Sequence, residues 1–169
     1  MGLTDTNIPC EIIQNLGHSI KSCTNQGKSW TSIVGNLPER GSVFAFRQDH
    51  VDPKLLFAGT EFGCYFSNDG GLKWTKLNGL PTIAVYDIEL QKRENDIVIA
   101  TFGRGFYVMD DYSPLRSLSK DVLAKDAYLF PIKDADLFVY ADPIGGRENS
   151  SQGASMYRAD NPKFGATFS

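Results

Sequence analysis

Val43-Phe44-Ala45-Phe46-Arg47-Gln48 and the residues that follow to Asp69 recur 42 places later as Val85-Tyr86-Asp87-Ile88-Glu89-Leu90 through to Asp111. Laid on one another without a gap, Val43 meets Val85, Ala58 meets Ala100, Gly63 meets Gly105, Tyr65 meets Tyr107 and Asp69 meets Asp111. Apolar pairs fill the intervals, among them Phe44 with Tyr86, Phe46 with Ile88, Leu55 with Ile97, Leu56 with Val98, Phe57 with Ile99 and Phe66 with Val108. A second correspondence, at an offset of 44, sets Cys23-Thr24-Asn25-Gln26-Gly27-Lys28-Ser29-Trp30 on Ser67-Asn68-Asp69-Gly70-Gly71-Leu72-Lys73-Trp74. Each copy is followed by a polar stretch ending in Leu-Pro, at Leu37-Pro38 and Leu80-Pro81. The repeating unit is therefore 42 to 44 residues long.

Within a unit, β-branched and aromatic residues alternate with polar ones or run in short blocks, and Asp, Asn, Gly and Pro separate the blocks. That pattern predicts strands joined by tight turns. The strands fall near residues 42-48, 54-60, 63-68 and 73-77, and again near 84-91, 96-102 and 105-110. Four short antiparallel strands at this period are the signature of a β-propeller blade. No segment carries an apolar stripe at helical spacing over three turns, so a helical repeat is excluded. The expected fold is all-β: a partial β-propeller of about two and a half four-stranded antiparallel blades, with a short helix and a β or irregular tail.

Ser67-Asn68-Asp69-Gly70-Gly71-Leu72-Lys73-Trp74 resembles an Asp-box, the Ser-x-Asp-x-Gly-x-Thr-Trp hairpin of bacterial sialidases, with Lys73 in place of Thr. The earlier copy, carrying Asn25, Gly27 and Trp30, departs further, with Cys23 for Ser and Asn25 for Asp. In such a turn the Ser67 and Asp69 side chains bond nearby backbone, glycines such as Gly71 supply positive φ, and Trp74 buries a large face between blades. These are structural tasks.

A longer set of segments resembles the large bacterial sortilin-like Asp-box propeller proteins, which are often labelled glycosyl hydrolases. It comprises Asn36 to Gly41, Phe57 to Gly63, Gly79 to Thr82, Ala100 to Phe106 and Asp110 to Leu115. The likeness is strong over residues 18-132 and looser in the tail. It implies a much longer parent propeller followed by β-rich modules, and an extracytoplasmic location. A closed ring of at least four blades would use nearly the whole chain in repeats. The chain is accordingly expected to be the last blades of a longer propeller, with the remaining blades, or further copies of itself, as partners.

The expected layout is an irregular remnant over 1-17, blades over 18-116 (partial 18-34, complete 36-77, partial 79-111) and a tail over 117-169. Ile12-Ile13 is too short to read as an element. Ser119 is placed to cap a short helix running to about Ala124. Ala127 to Phe130 and Leu137 to Tyr140 are strand candidates, and Gly, Ser, Asn and Pro after Asp142 suggest a linker or an incomplete module.

The 17 Lys and Arg stand against 20 Asp and Glu, scattered along the chain, which gives no support to nucleic-acid binding. The longest apolar run, Leu137 to Ala141, is five residues, too short to span a membrane. The spacing of Cys10, Cys23 and Cys64 fits no zinc pattern, and small buried or half-buried thiols are the expectation. No cofactor fingerprint is present.

In a propeller, the loops joining second to third strand and blade to blade share one rim, with the Asp-box turns on the other. That places Glu39, Arg40, Glu61, Phe62, Thr82, Phe102 and Arg104 together on the rim that usually binds ligands. Arg40, Glu61, Phe62 and Arg104 are the candidate ligand-binding residues, and Arg104 between two glycines could grip a carboxylate or a sugar acid bidentately. The competing reading pairs Arg40 or Arg104 with Glu61 or Glu39 across blades. Asp87 and Glu89 lie two apart on one strand face, either as an acid/base pair or as partners of Arg47 one blade earlier. Asp49, His50 and Asp52 form a polar turn that could hold a metal, although such turns are common without one; no metal site is assigned.

No catalytic residue is assigned within the chain. The expected role is binding or scaffolding, without enzymatic activity, towards a polypeptide or glycan. The alternatives are part of a sialidase-like glycoside hydrolase whose catalytic residues lie mainly elsewhere, and a two-blade unit that self-assembles into a ring.

Overall fold

A computed structural model describes residues 12-14, 19-23, 28-132, 134 and 165. The chain divides into two compact units, Met1–Tyr128 and Leu129–Ser169. In the first unit three antiparallel sheets follow one another along the chain. The first contains β1 (Ile12–Gln14), β2 (Ser19–Ser22) and β3 (Thr31–Ser32), the second β4 (Val43–Gln48), β5 (Leu56–Thr60), β6 (Gly63–Ser67) and β7 (Thr75–Lys76), and the third β8 (Val85–Gln91), β9 (Asp96–Thr101) and β10 (Phe106–Met109). Strands neighbour one another in chain order within every sheet. This is an all-β, partial-propeller architecture. The segment read as irregular contributes a strand after all: Ile13 pairs with Ile20. Three residues are too few to show a period, and it is the partner strand that makes them a strand.

Two apolar layers hold the sheets face to face. Ile20 and Ile33 of the first sheet region meet Val43, Phe46, Leu56 and Trp74. On the other face of the second sheet, Ala45, Phe57, Cys64 and Phe66 meet Val85, Ile88, Ile97 and Ile99. At Gly59 an added Cβ would lie 2.7 Å from Val85 Cγ1, so only glycine lets β5 and β8 approach this closely.

The paired strands correct the gapless 42-residue comparison. Phe46 pairs with Ala58 and Ala58 with Tyr65, whereas Ile88 pairs with Ile99 and Ile99 with Tyr107. The outer members of these rows are 42 apart (88 − 46 and 107 − 65), but the middle ones are 41 apart (99 − 58). The structural partner of Ala58 is thus Ile99, not Ala100, and that of Leu56 is Ile97, not Val98. The turn before β9 is one residue shorter than the turn before β5, and the loop after β9 is one residue longer than the loop after β5. Equivalent hydrogen bonds confirm the shift: Thr60 Oγ1 donates to Gly63 O at 3.0 Å, and Thr101 Oγ1 to Gly105 O at 2.8 Å. A one-residue slip exchanges the faces of a strand. It went unseen because all five residues of β5 are buried, so both faces are apolar.

Beyond β10 the chain forms a 3₁₀ helix over Ser113–Ser117 and a short helix, α1 (Lys120–Leu123), whose first turn is capped by Ser119 Oγ accepting from Val122 N–H. Ala127 to Phe130, read as a strand candidate, is not one. Ala127, Tyr128 and Leu129 are exposed, and no strand among the described residues pairs with this stretch. Leu137 to Tyr140 lies outside the described residues. No described helix is long and apolar enough to cross a membrane.

Candidate functional site

The turns sort onto two rims. Gly70 N–H donates to Lys54 O at 3.0 Å, placing the Ser67–Trp74 turn beside the β4–β5 connection on one rim. On the other rim lie the starts of β4 and β8 with the β5–β6 and β9–β10 loops, where Glu61 N–H bonds Ser42 O at 3.2 Å and Phe102 N–H bonds Ala84 O at 2.9 Å.

On the first rim the side chains are engaged in holding the fold. Asp69 Oδ1 accepts from the Ser67 hydroxyl at 2.7 Å, from Lys73 N–H at 2.9 Å and from Leu72 N–H at 3.0 Å. Partial burial opposes its ionisation, but these donors outweigh that and hold its carboxyl below the usual range. Gly71 N–H reaches Ser67 Oγ at 2.9 Å, and Trp74 is buried with its indole N–H on Ile33 O at 2.9 Å. Asn36 clamps Trp74 from both sides, its amide donating to Trp74 O at 3.0 Å and its carbonyl accepting from Trp74 N–H. Trp30 is half-buried, while Asn25 and Gly27 lie outside the described residues.

A second cluster on this rim was missed by sequence reasoning. The buried Asp49 carboxylate accepts from Arg116 Nε at 2.7 Å and Nη2 at 2.8 Å, from the Tyr112 hydroxyl at 2.7 Å and from Asp52 N–H at 2.8 Å. Arg116 Nη2 also reaches Asn95 Oδ1 at 2.7 Å, which ties in the β8–β9 turn. His50 Nδ1 stands 3.3 Å from both the Tyr112 hydroxyl and Asp49 Oδ1. Burial pushes the Tyr112 hydroxyl well above its usual value, with Asp49 adding to the effect. With its lone pairs taken by these donors, Asp49 serves as a latch for the segment after β10. The polar turn Asp49 to Asp52 was its only trace in the sequence.

The opposite rim carries the candidate ligand residues. Phe62 is half-buried and its ring covers Gly41, where an added Cβ would fall 2.5 Å from Cε2. Glu61 lies against the same glycine, so the Arg40-Gly41 stretch and the β5–β6 loop come together. Lys76 Nζ bonds Thr82 Oγ1 at 3.2 Å. Arg104 sits one sheet further on, in the β9–β10 loop. Glu39, Arg40, Glu61 and Arg104 are all exposed, and among the described residues neither arginine pairs with either glutamate. The ion pair between sheets is formed elsewhere: Arg47 Nη2 lies 3.1 Å from Asp87 Oδ1 and 3.4 Å from Glu89 Oε2. These two carboxylates are therefore engaged by Arg47.

Fold and site together define an all-β chain of stacked antiparallel sheets, with one rim committed to structure and the other left open. Comparison with protein-family models finds no match, and neither does comparison with curated proteins.

Proposed function

We propose that the chain is a non-enzymatic binding or scaffold portion of an Asp-box, sortilin-like propeller that recognises a polypeptide or glycan at its open rim. One contrast carries this reading. On one rim the carboxylates of Asp49 and Asp69 accept hydrogen bonds that hold the fold together, whereas on the other rim Arg40 and Arg104 stand exposed with no ion pair among the described residues. Exposed guanidinium groups favour recognition of carboxylates over bond cleavage, which in glycosidases needs a pair of carboxyl groups set across the scissile bond.

Peptide and glycan arrays probed with the whole chain test the reading, alongside the double variant Arg40→Ala/Arg104→Ala. Loss of the captured ligand in the double variant is the expected result. Undiminished binding would remove the rim from the account, and turnover of aryl glycosides by the chain would overturn its non-enzymatic character.

A further inference from the structure

Three aromatic rings form a row on the open rim. Phe44 and Tyr86 stack with centroids 4.5 Å apart and planes at 13°, and Phe102 continues from Tyr86 at 5.7 Å and 47°. Phe44 and Tyr86 are 42 residues apart and stand where the ladders of β4 and β8 each break register, between Val43 and Ala45 and between Val85 and Asp87. A bulge re-aims the side chain it carries. The same irregularity at the same repeat position turns one ring in each sheet out of the face-to-face layers and along the rim. Exposure rises along the row, from half-buried Phe44 to Tyr86 at 51% and Phe102 at 69%. The row ends on an open ring.

Arg104 shares the three-residue turn of Phe102, between Thr101 and Gly105. Around Gly103 and Gly105 an added Cβ would meet nothing within 4 Å, so the turn stands clear of its neighbours. The carboxylates that follow Tyr86 on β8, Asp87 and Glu89, pair with Arg47, and Arg104 forms no ion pair among the described residues. The backbone at the turn is already engaged: Thr101 N–H bonds Gly105 O at 3.0 Å, and Phe102 N–H bonds Ala84 O. Recognition at this turn therefore falls to side chains rather than to its backbone N–H groups. What remains is a ring face and a guanidinium.

From this geometry we propose that the Phe44–Tyr86–Phe102 row and Arg104 bind a carboxylated pyranose, a uronic-acid unit of a glycan. The C–H face of the sugar lies on Phe102, and its carboxylate takes the guanidinium fork. This rests on the rim-binding reading above and narrows it to one ligand class.

The test is calorimetric titration of the whole chain with an oligogalacturonate and with its methyl ester, which keeps the rings and removes the charge. The free acid is expected to bind, and the ester to bind on the order of tenfold more weakly. Phe102→Ala is expected to weaken both roughly three- to tenfold, and Arg104→Ala to abolish the preference for the acid. Both side chains are exposed, and an unchanged circular dichroism spectrum confirms folding. Equal affinity for acid and ester, or no effect of Phe102→Ala, overturns the proposal. Binding of an acidic peptide with no binding of either saccharide overturns it too, while leaving the broader rim reading standing. Failure of every probe overturns the proposal, and the arrays described above then decide the rim reading separately.

Discussion

Arg116 grips Asp49 through two parallel hydrogen bonds, Nε to Oδ2 at 2.7 Å and Nη2 to Oδ1 at 2.8 Å, across 67 positions of chain. The Asp49 side chain is fully buried, and that of Arg116 is largely covered, with 17% of its surface exposed. Removing one member of such a pair strands the other charge out of water, at a cost of about 3–5 kcal/mol. Arg116→Met is expected to lower the stability measured by urea titration by that amount. A loss below about 1 kcal/mol would mean that the latch contributes little, as exposed ion pairs do.

The same carboxylate sets an acid limb. Burial alone would raise the Asp49 pKa, but Arg116, Asp52 N–H and the Tyr112 hydroxyl overcome it and hold the group far below its ordinary 3.8. Asp49 is thus protonated in the unfolded chain before it is protonated in the fold. Its contribution is present above about pH 4 and is lost as the pH falls below it. Asp49→Asn should flatten the acid side of the stability profile. Asp69 shifts in the same direction, but it is exposed and contributes less. Tyr112 acts at the other end: its pKa is raised above the ordinary 10.0, so stability falls as the pH rises past that value, and Tyr112→Phe should remove this loss.

Much of this architecture was legible in the sequence. Strands such as β4 and β8 follow from alternation and a common period, and the division between rims follows from strand order alone. The middle strand was legible only as a strand. With Leu56, Phe57 and Ala58 all buried, the apolar pattern fixes no face, and the turn lengths that set the register lie in sequence without periodicity. The latch was illegible for another reason: Asp49, Asn95, Tyr112 and Arg116 are brought together only by the folded sheets. The Phe44–Tyr86 stack depends on bulges, which leave no compositional mark.

Neighbouring glycines in the Ser67–Trp74 turn should respond differently to alanine. Both have positive φ, 77° at Gly70 and 92° at Gly71. Around Gly70 an added Cβ meets nothing within 4 Å, whereas at Gly71 it would stand 2.7 Å from Ile33 Cβ. Gly70→Ala is expected to cost about 1 kcal/mol from backbone conformation alone. Gly71→Ala adds a clash inside the apolar layer and should cost roughly 2–4 kcal/mol. Equal melting temperatures for the two variants would show that the layer yields at Ile33.

The outer face of the third sheet exposes Phe106 at 76% and Val108 at 60%, in rows with Ala100 and Val98. The corresponding positions of the second sheet, Cys64 and Phe66, are covered by the third. An apolar sheet face left open in this way favours association. Phe106→Glu with Val108→Lys should shift the mass measured by light scattering towards the monomer while leaving the urea midpoint within the small change usual for surface substitutions. An unchanged mass distribution would show that this face takes no part in association.

Cys64 offers a probe of the layer between the second and third sheets. The thiol is fully buried, and burial pushes its pKa up to about 12, so at pH 8 almost none of it is the reactive thiolate. Iodoacetamide should therefore leave Cys64 unmodified in the native protein and alkylate it once urea opens the layer, with peptide mass spectrometry identifying the site. Because labelling requires the second and third sheets to part, its urea dependence reports the opening of that interface. A midpoint matching that of global unfolding would mean that the two sheets form one cooperative unit. Labelling at lower urea would mean that the third sheet detaches first, and rapid labelling without urea would contradict the packing of Phe57, Cys64 and Ile99 described above.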